Sequence, residues 1–530
     1  MDVDFVIKKV DIMQKEFNDT GTCIPSKHYM VDISEKLNTT LKLVEKGKYF
    51  IINRPRQFGK TTTIYLLNQI LKKKKDYLPI KISFEGIGDT EFKSQETFCS
   101  FFLDFLSEDF YITQLGLSKI FKDKNVNIDS FKKLSKALTE VIIKLDKKVV
   151  LLIDEVDKSG NNQLFLHFLG MLRDKYLKAS EGDDVTFHSV ILAGLHDVKT
   201  LKLKLRPDEV ATYNSPWNIA IDYKVDMSFN VAEIETMLIQ YKNETNANLN
   251  TREVAEKLYF YTSGYPYLVS KLCKIIDEEI MPERWDEKVI EDAVKILLFT
   301  ENNSNFDTVI KNLENNKELS NFIEDIILNV RNYTYSIQNP LINLAKIHGI
   351  IRNYQGKVVI HNKIYEEYIS DYFVSKLETS KRYFNTVQSI YLKPNGKLDI
   401  KKVLLKFSEV IEEKYSNSDL LKSDEFLENN LRMLFLVFLK PIINGTGFSY
   451  KEAQISAERR LDVIVLFKDE KFIIELKLWY GEKYHKQGIE QIKDYLRREH
   501  AQNGYMIIMS KNKDKKFTHS DEEGIFTIWM

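Results

Sequence analysis

Two sets of residues in this sequence have types and spacings suited to chemistry on phosphates. The first is Asn53-Arg54-Pro55-Arg56-Gln57-Phe58-Gly59-Lys60-Thr61-Thr62. Backbone amides over Arg56, Gln57, Phe58, Gly59 and Thr62, at the start of a helix, can hold phosphate oxygens. The Lys60 ammonium can reach the β and γ groups, and the Thr61 hydroxyl can ligate Mg²⁺. Arginine stands at position 54, where G-x-x-x-x-G-K-[ST] has its first glycine. Further on, Asp154 and Glu155 close an apolar run. Such a pair suits one acid holding Mg²⁺ through water and a second orienting an attacking water. The second set is Asp462, Glu475 and Lys477. Two carboxylates and a lysine gathered on a divalent metal suit phosphodiester hydrolysis, the metal neutralising phosphate and activating water.

The elements that must position these residues can be read from periodicity. Tyr49-Phe50-Ile51-Ile52 reads as a buried parallel strand ahead of the loop, and Ile64 to Leu71 is apolar at helical spacing behind it. Asp32 can cap a helix through Ile33, Leu37, Leu41 and Val44 that Gly47 stops, and residues 4–16 also have helical spacing. Strands at 80–84, 148–153, 185–193 and 219–225 alternate with helices near 91–107, 129–145 and 162–178, which predicts a doubly wound parallel sheet. Residues 230–298 read as helical, with Pro266 in a first-turn position after Gly264. Residues 318–372 read helix, helix, strand, turn, strand, helix, the order of a winged helix. From 424 the order is helix, strand near 450–455, strand 461–467, strand 472–478, helix 484–498 and strand 505–509. Glu475 and Lys477 share one face of a strand whose neighbours are apolar, so their burial demands a partner or a metal.

Together "RPRQFGKTT", "LLIDEVD", "NSPWNIA" and "SGYPYL" resemble the AAA-like ATPases of the STAND type, over roughly residues 25–370. The resemblance implies ATP and Mg²⁺ as cofactors, contacts to nucleotide from Gly264 and Pro266, Mg²⁺ at Thr61 and Asp154, and Glu155 as the catalytic acid. It implies a γ-phosphate sensor at His196 or Lys199, although a plain loop serves there as well. Asp462, Glu475 and Lys477 resemble the D-x(12)-E-x-K of the PD-(D/E)XK nuclease superfamily, with Gln491 and Tyr495 as its Q-x-x-x-Y and Glu428 as an extra metal-binding acid. That likeness implies metal at Asp462 and Glu475, and catalysis by those two with Lys477 and Gln491. Plainer accounts are one exposed helical face for Gln491 and Tyr495, and an i,i+4 pair with Arg432 for Glu428.

Composition sets bounds. Over 530 residues, 77 Lys and Arg balance 77 Asp and Glu, so any nucleic-acid surface must be a local patch. Cys23, Cys99 and Cys273 form no C-x-x-C pair, which suggests a reducing compartment and no zinc module. The N-terminus is unlike a signal peptide, and the densest apolar run, Leu431 to Leu439, contains Arg432 and is too short for a bilayer. The expected fold class is α/β: a P-loop parallel sheet (1–226) with a helical lid (227–300) and winged helix (301–375), a connector (376–420), and an α/β restriction-endonuclease-like domain (421–530). The expected function is an ATP-binding and -hydrolysing switch controlling a Mg²⁺-dependent nuclease, in the cytoplasm, in defence against foreign DNA. Expected partners are nucleic acid, DNA foremost, further copies of the chain, and an activating ligand or protein, with no membrane. The alternative is a nucleotide-switched signalling or scaffold protein whose C-terminal domain binds nucleic acid without cutting it; a DNA-translocating motor ranks last.

Overall fold

The computed structural model describes residues 15–88, 90–111, 114–125, 127–159, 163–195, 217–299, 303–327, 333–380, 388–415, 424–443, 447–450, 461–479, 481–498, 503–509 and 517–530. The helix expected over 4–16 and the sensor candidates His196 and Lys199 lie largely or wholly outside them, as do Ser215 and Pro216. The chain divides into two compact units: Met1–Tyr259, Gly264–Asp286 and Ile347–Gly349, and then Phe260–Ser263, Glu287–Lys346 and Ile350–Met530.

In the first unit, helix α1 (Ser34–Glu45) buries Leu37, Leu41 and Val44. Asp32 Oδ1 accepts from the Ser34 amide at 2.9 Å, and Gly47, at φ +65°, turns the chain out of the helix. Then come β1 (Phe50–Asn53), α2 (Lys60–Lys72), β2 (Tyr77–Ser83), α3 (Gln95–Tyr111), α4 (Leu115–Lys122), α5 (Phe131–Leu145), β3 (Lys148–Asp154), α6 (Gln163–Glu181), β4 (Ser189–Gly194) and β5 (Ile221–Asp222). The strands form one five-stranded sheet in the order β2-β3-β4-β1-β5, every described pair parallel. Helices cover both faces, so the strands are continuous apolar runs and every residue of β4 is buried. Phe98, Phe102 and Phe168 pack with Leu151 and Ile153 in the main core. Two details depart from expectation. A third helix, α4, stands between β2 and β3, and β5 is two residues long rather than seven.

Because β4 lies between β1 and β3, the loops leaving β1 and β3 flank it at the carboxyl edge of the sheet. That crevice is where doubly wound sheets bind ligands. Helices α7 (Val231–Thr245), α8 (Thr251–Thr262) and α9 (Pro266–Ile275) follow. A capping box between Asn230 and Glu233 starts α7, and Pro266 fills the first turn of α9.

The second unit contains α10 (Glu287–Phe299), α11 (Ser304–Asn315), α12 (Lys317–Ile327), α13 (Pro340–Ile347), the antiparallel pair β6 (Ile351–Tyr354) and β7 (Lys357–Ile360), and α14 (Lys363–Ser380). The stretch expected as a connector is not simply a linker, for it holds helix α15 (Ile400–Tyr415). Helix α16 (Asp424–Ile443) leads into β8 (Gly447–Tyr450), β9 (Leu461–Phe467), β10 (Glu470–Leu478), α17 (Glu482–Arg498), β11 (Asn503–Met509), β12 (Thr518–Glu522) and β13 (Ile525–Trp529). These strands form a six-stranded mixed sheet, β12-β13-β11-β10-β9-β8. The terminal hairpin β12–β13 was not anticipated; its two-residue turn uses Glu523 and Gly524, both at positive φ. Helix α14 packs on both α16 and β8. There the buried Lys440 ammonium sits between Glu367 and Asp371, which outweigh the effect of burial and hold its pKa above 10.5.

Candidate functional site

The loop from β1 to α2 encloses a cradle. Gly59 takes φ +77°, a left-handed conformation open to glycine, immediately before the helix begins at Lys60. The Lys60 ammonium is buried and donates to the carbonyl oxygens of Arg54 and Pro55, both at 2.9 Å. Burial pushes its pKa below 10.5, against the pull of Asp157, Glu155 and Asp154. Arg54, at the position of the absent glycine, turns away from the cradle. Its guanidinium donates to the carbonyls of Tyr223 at 3.2 Å and Val225 at 2.6 Å and lies over the Tyr223 ring. Across the crevice, Asp154 is buried and its Oδ1 accepts from the Glu155 amide at 2.9 Å. Glu155 sits at φ +55°, a strained value for a non-glycine residue. Burial, then the Asp154 charge, raises its carboxyl pKa above 4.5.

Sequence reading missed two supports. Asp157 accepts from the Leu195 amide through Oδ2, tying the end of β3 to the end of β4. A side chain at Gly194 would meet Asp157 at 2.7 Å, so the glycine there permits the approach. Tyr265 donates its hydroxyl to the Arg56 carbonyl at 2.8 Å and packs edge-on against Phe58, so the residue between Gly264 and Pro266 braces the loop. An acid two residues beyond Glu155 and an aromatic inside Gly-x-Pro were the available signals.

Beside the cradle lies a cavity of about 280 Å³, bounded by Gly59, Thr62 and Thr63 of the loop and α2, by Leu37 of α1, and by Phe229 and Pro266 of the helical segment. Another wall is formed by Asn18 to Gly21 and Cys23 with Tyr29 to Val31, none of which carried a motif. The Cys23 amide donates to Thr62 Oγ1 at 3.1 Å. A half-open, largely apolar space next to a phosphate cradle has the form of a nucleoside pocket.

A family model described as an AAA-like domain matches residues 20–371. The chain belongs to the AAA-like domain family. Solved structures with similarity to this AAA-like protein include a Walker-type ATPase of Pyrococcus abyssi, at 13% identity over 66% of this chain and 98% of that one, with a TM-score of 0.43. Another is the ORC2 protein of Aeropyrum pernix in ADPNP–ADP complexes, at 10% identity over 68% of this chain and 98% of that one, TM-score 0.39. A third is the RuvB Holliday junction branch migration motor of Thermotoga maritima, at 12% identity over 65% and 96%, TM-score 0.33. Among curated proteins no match was found. The AAA-like protein thus carries a P-loop ATPase-type cradle, and its match ends within α14, ahead of the six-stranded sheet.

That sheet holds the second cluster. Glu475, at the middle of β10, is fully buried. Lys477 Nζ lies 3.2 Å from Glu475 Oε1 and donates to Gln491 Oε1 of α17 at 2.7 Å. Gly488 lets α17 come this close, since a Cβ there would sit 3.0 Å from Lys477 Nζ. Tyr495 is buried on α17, whose Ile489 and Ile492 pack on Met506 and Ile508 of β11. The antiparallel register sets position 462 directly opposite Glu475. The side chains of Asp462 and of Glu428, on α16, lie outside the described residues. Among the described residues no group of three or more His, Cys, Asp or Glu forms a metal cluster, and no helix is long and apolar enough to cross a membrane.

Proposed function

We propose that this AAA-like protein is an ATP-binding and -hydrolysing switch of the STAND type that controls a metal-dependent nuclease built on the six-stranded sheet. The observation that carries the nuclease reading is the buried Glu475 carboxylate, opposite position 462 in the strand register, with Lys477 reaching both Glu475 and Gln491. A carboxylate and an ammonium held together inside an apolar sheet are costly as structure alone. The donor set also fits a hard divalent cation, being oxygen from Glu475 and Asp462. Mg²⁺ there would neutralise a scissile phosphate and make water nucleophilic. Lys477 would steady the phosphate or assist the water, and Gln491 would hold the Lys477 ammonium in position.

In the AAA-like unit, Arg56 to Thr62 would hold the phosphates and Lys60 would leave its loop carbonyls for the β and γ oxygens. Thr61, in the first turn of α2, and the buried Asp154 are a hydroxyl and a carboxylate suited to Mg²⁺. Glu155, poised by its raised pKa, would orient the attacking water. Gly264 and Pro266 would bring the helical lid to the nucleotide.

The elements α11 to α14 with the β6–β7 pair support a winged helix, as does the bridge from Thr334 to Lys357 beside that pair. DNA is the substrate we favour, cut in response to the nucleotide state or a bound activator, through self-assembly of the chain, in defence against foreign DNA. Free Cys23, Cys99 and Cys273 suit a reducing, cytoplasmic setting.

The test is cleavage of labelled single- and double-stranded DNA and RNA by the full chain, with Mg²⁺ or Mn²⁺, in ATP, ADP and no nucleotide. Asp462→Ala, Glu475→Ala and Lys477→Ala should each abolish cutting, while Gln491→Ala weakens it. Cleavage that survives Glu475→Ala, or a wild type inert in every condition, would overturn the nuclease and leave a binding module.

A further inference from the structure

The cavity beside the phosphate cradle has walls of two kinds. Most are stitched together. The Lys36 ammonium of α1 donates to the Ser228 carbonyl and to Glu233 Oε2 of the lid, both at 2.7 Å. Tyr265 is bonded to the Arg56 carbonyl, and the Phe229 amide donates to the Gly264 carbonyl at 2.8 Å. The last contact is so close that a Cβ on Gly264 would fall 1.9 Å from the Phe229 oxygen.

The remaining wall is a loop whose ends meet. The Glu16 amide donates to the Lys27 carbonyl at 3.1 Å, and the Tyr29 amide donates to the Glu16 carbonyl at 3.0 Å. Phe17 anchors this neck, fully buried, with its ring 5.0 Å from those of Tyr29 and Tyr241 and 6.0 Å from that of Trp285. Between the pinned ends, residues 18–27 are half-buried or exposed. A compact surface loop closed at its neck is an Ω-loop, a shape that often serves function. Here its inner face, Asn18 to Gly21 and Cys23, lines the cavity.

Described contacts tie the loop to two helices. Asp19 offers one carboxylate oxygen to Lys271 at 2.9 Å and the other to Lys274 at 3.0 Å. These lysines are one turn apart on α9, the helix that Pro266 begins. The Cys23 amide donates to Thr62 Oγ1 of α2. At the outer bend, Gly21 takes φ +61° with open space around its α-carbon. The neck is thus an aromatic cluster and the free end is an ion pair. The Asp19 carboxylate is only 10% exposed, but both lysines reach the surface, at 21% and 27% exposed, so water can replace their side of the pair, whereas the aromatic cluster has no such exchange.

We infer that residues 17–27 are a flap over the nucleoside cavity, latched to the lid by Asp19 on Lys271 and Lys274, and that this latch sets how long a nucleotide stays bound. The inference rests on the cavity being the nucleoside site of the proposed ATP switch. It assigns that site a door, distinct from the phosphate cradle, and it makes the dwell time of ATP or ADP depend on the charge pair between Asp19 and α9.

Stopped-flow measurement of fluorescent ATP and ADP analogues binding to the full chain tests this. A gate that opens more often speeds entry and exit together, whereas a static wall that loses contacts changes exit alone. Asp19→Asn should raise both association and dissociation rates by about tenfold and move Kd by less than about threefold. The double variant Lys271→Met with Lys274→Met breaks the same latch from the lid side and should do the same, with thermal melts confirming that each variant is folded. Unchanged rates in folded variants would overturn the flap. So would a faster dissociation matched by an equal rise in Kd, which would make the loop a fixed wall. A wild type that binds neither ATP nor ADP would instead remove the nucleotide reading, and the flap with it.

Discussion

Lys60 offers the sharpest test of the phosphate cradle, through Lys60→Met. In the structure its ammonium is satisfied by two carbonyls of its own loop, each at 2.9 Å. Binding ATP exchanges these for contacts to β and γ oxygens. Both sets of bonds have a charged donor and are worth about 1.5–3 kcal/mol each, the phosphate oxygens, which also carry charge, at the upper end of that range and the carbonyls at the lower. The difference is about 2–3 kcal/mol, so Kd for Mg-ATP should rise roughly 30- to 150-fold. Stability should respond differently. A lysine whose folded pKa is lowered is harder to keep charged in the fold than in the unfolded chain, so at neutral pH its charge works against folding. Methionine removes that burden while forfeiting the two carbonyl bonds, and the melting temperature of the nucleotide-free protein should stay within about 4 °C of wild type. Isothermal titration calorimetry and a thermal melt on the same samples decide the matter. An ATP affinity within about threefold of wild type would refute phosphate contact by Lys60.

Glu155→Gln should bind ATP as wild type does but turn it over slowly, and equal loss of Mg-ATP binding in Asp154→Asn and Glu155→Gln would undo the division of roles between the two acids. Gly264→Ala demands a Cβ 1.9 Å from the Phe229 oxygen at φ +73° and should cost upwards of about 3 kcal/mol, read as a lower denaturant midpoint; an unshifted midpoint would mean the lid does not need that approach. Lys440→Met should destabilise the second unit by about 3 kcal/mol, the lower end for a broken buried pair because Asp371 is half-exposed. The Lys440 pKa is raised in the fold, so its contribution is present below pH 10.5 and lost as pH climbs through the raised value; equal denaturant midpoints for wild type and variant at neutral pH would contradict this.

Local chemistry was legible where a short motif meets strong periodicity. The strand-loop-helix around Lys60, the apolar run ending at Asp154, and the E-x-K strand with Gln491 one helix later all stand within a few residues of their expected places. Lys477 reaches Gln491 across to the neighbouring helix, a contact that spacing alone did not announce. What escaped was set by tertiary contact. The role of Arg54 depends on the carbonyls of Tyr223 and Val225, far along the chain, and nothing near position 54 announces them. The Asn18–Cys23 wall has no periodicity, being irregular backbone pinned at Glu16 and His28. Helix α4 is eight residues long, too short for periodicity to declare it. The hairpin β12–β13 did carry a signal in Glu523-Gly524, which an acidic, weakly apolar flank obscured.

The lysine between α14 and α16 bears on where the chain can be cut. Sequence composition invites a fragment beginning near residue 421, containing every residue of the D-E-K cluster. Such a fragment would inherit the Lys440 ammonium and the apolar residues Leu434 to Ile443 of α16, but not the carboxylates of Glu367 and Asp371 or helix α14, which packs on α16. It would expose a sticky surface around an orphaned cation and should aggregate or be digested. A fragment beginning at α10 keeps α14 together with α10, α11, α12 and β7, which pack on it, and should be the shortest piece recovered intact after limited proteolysis.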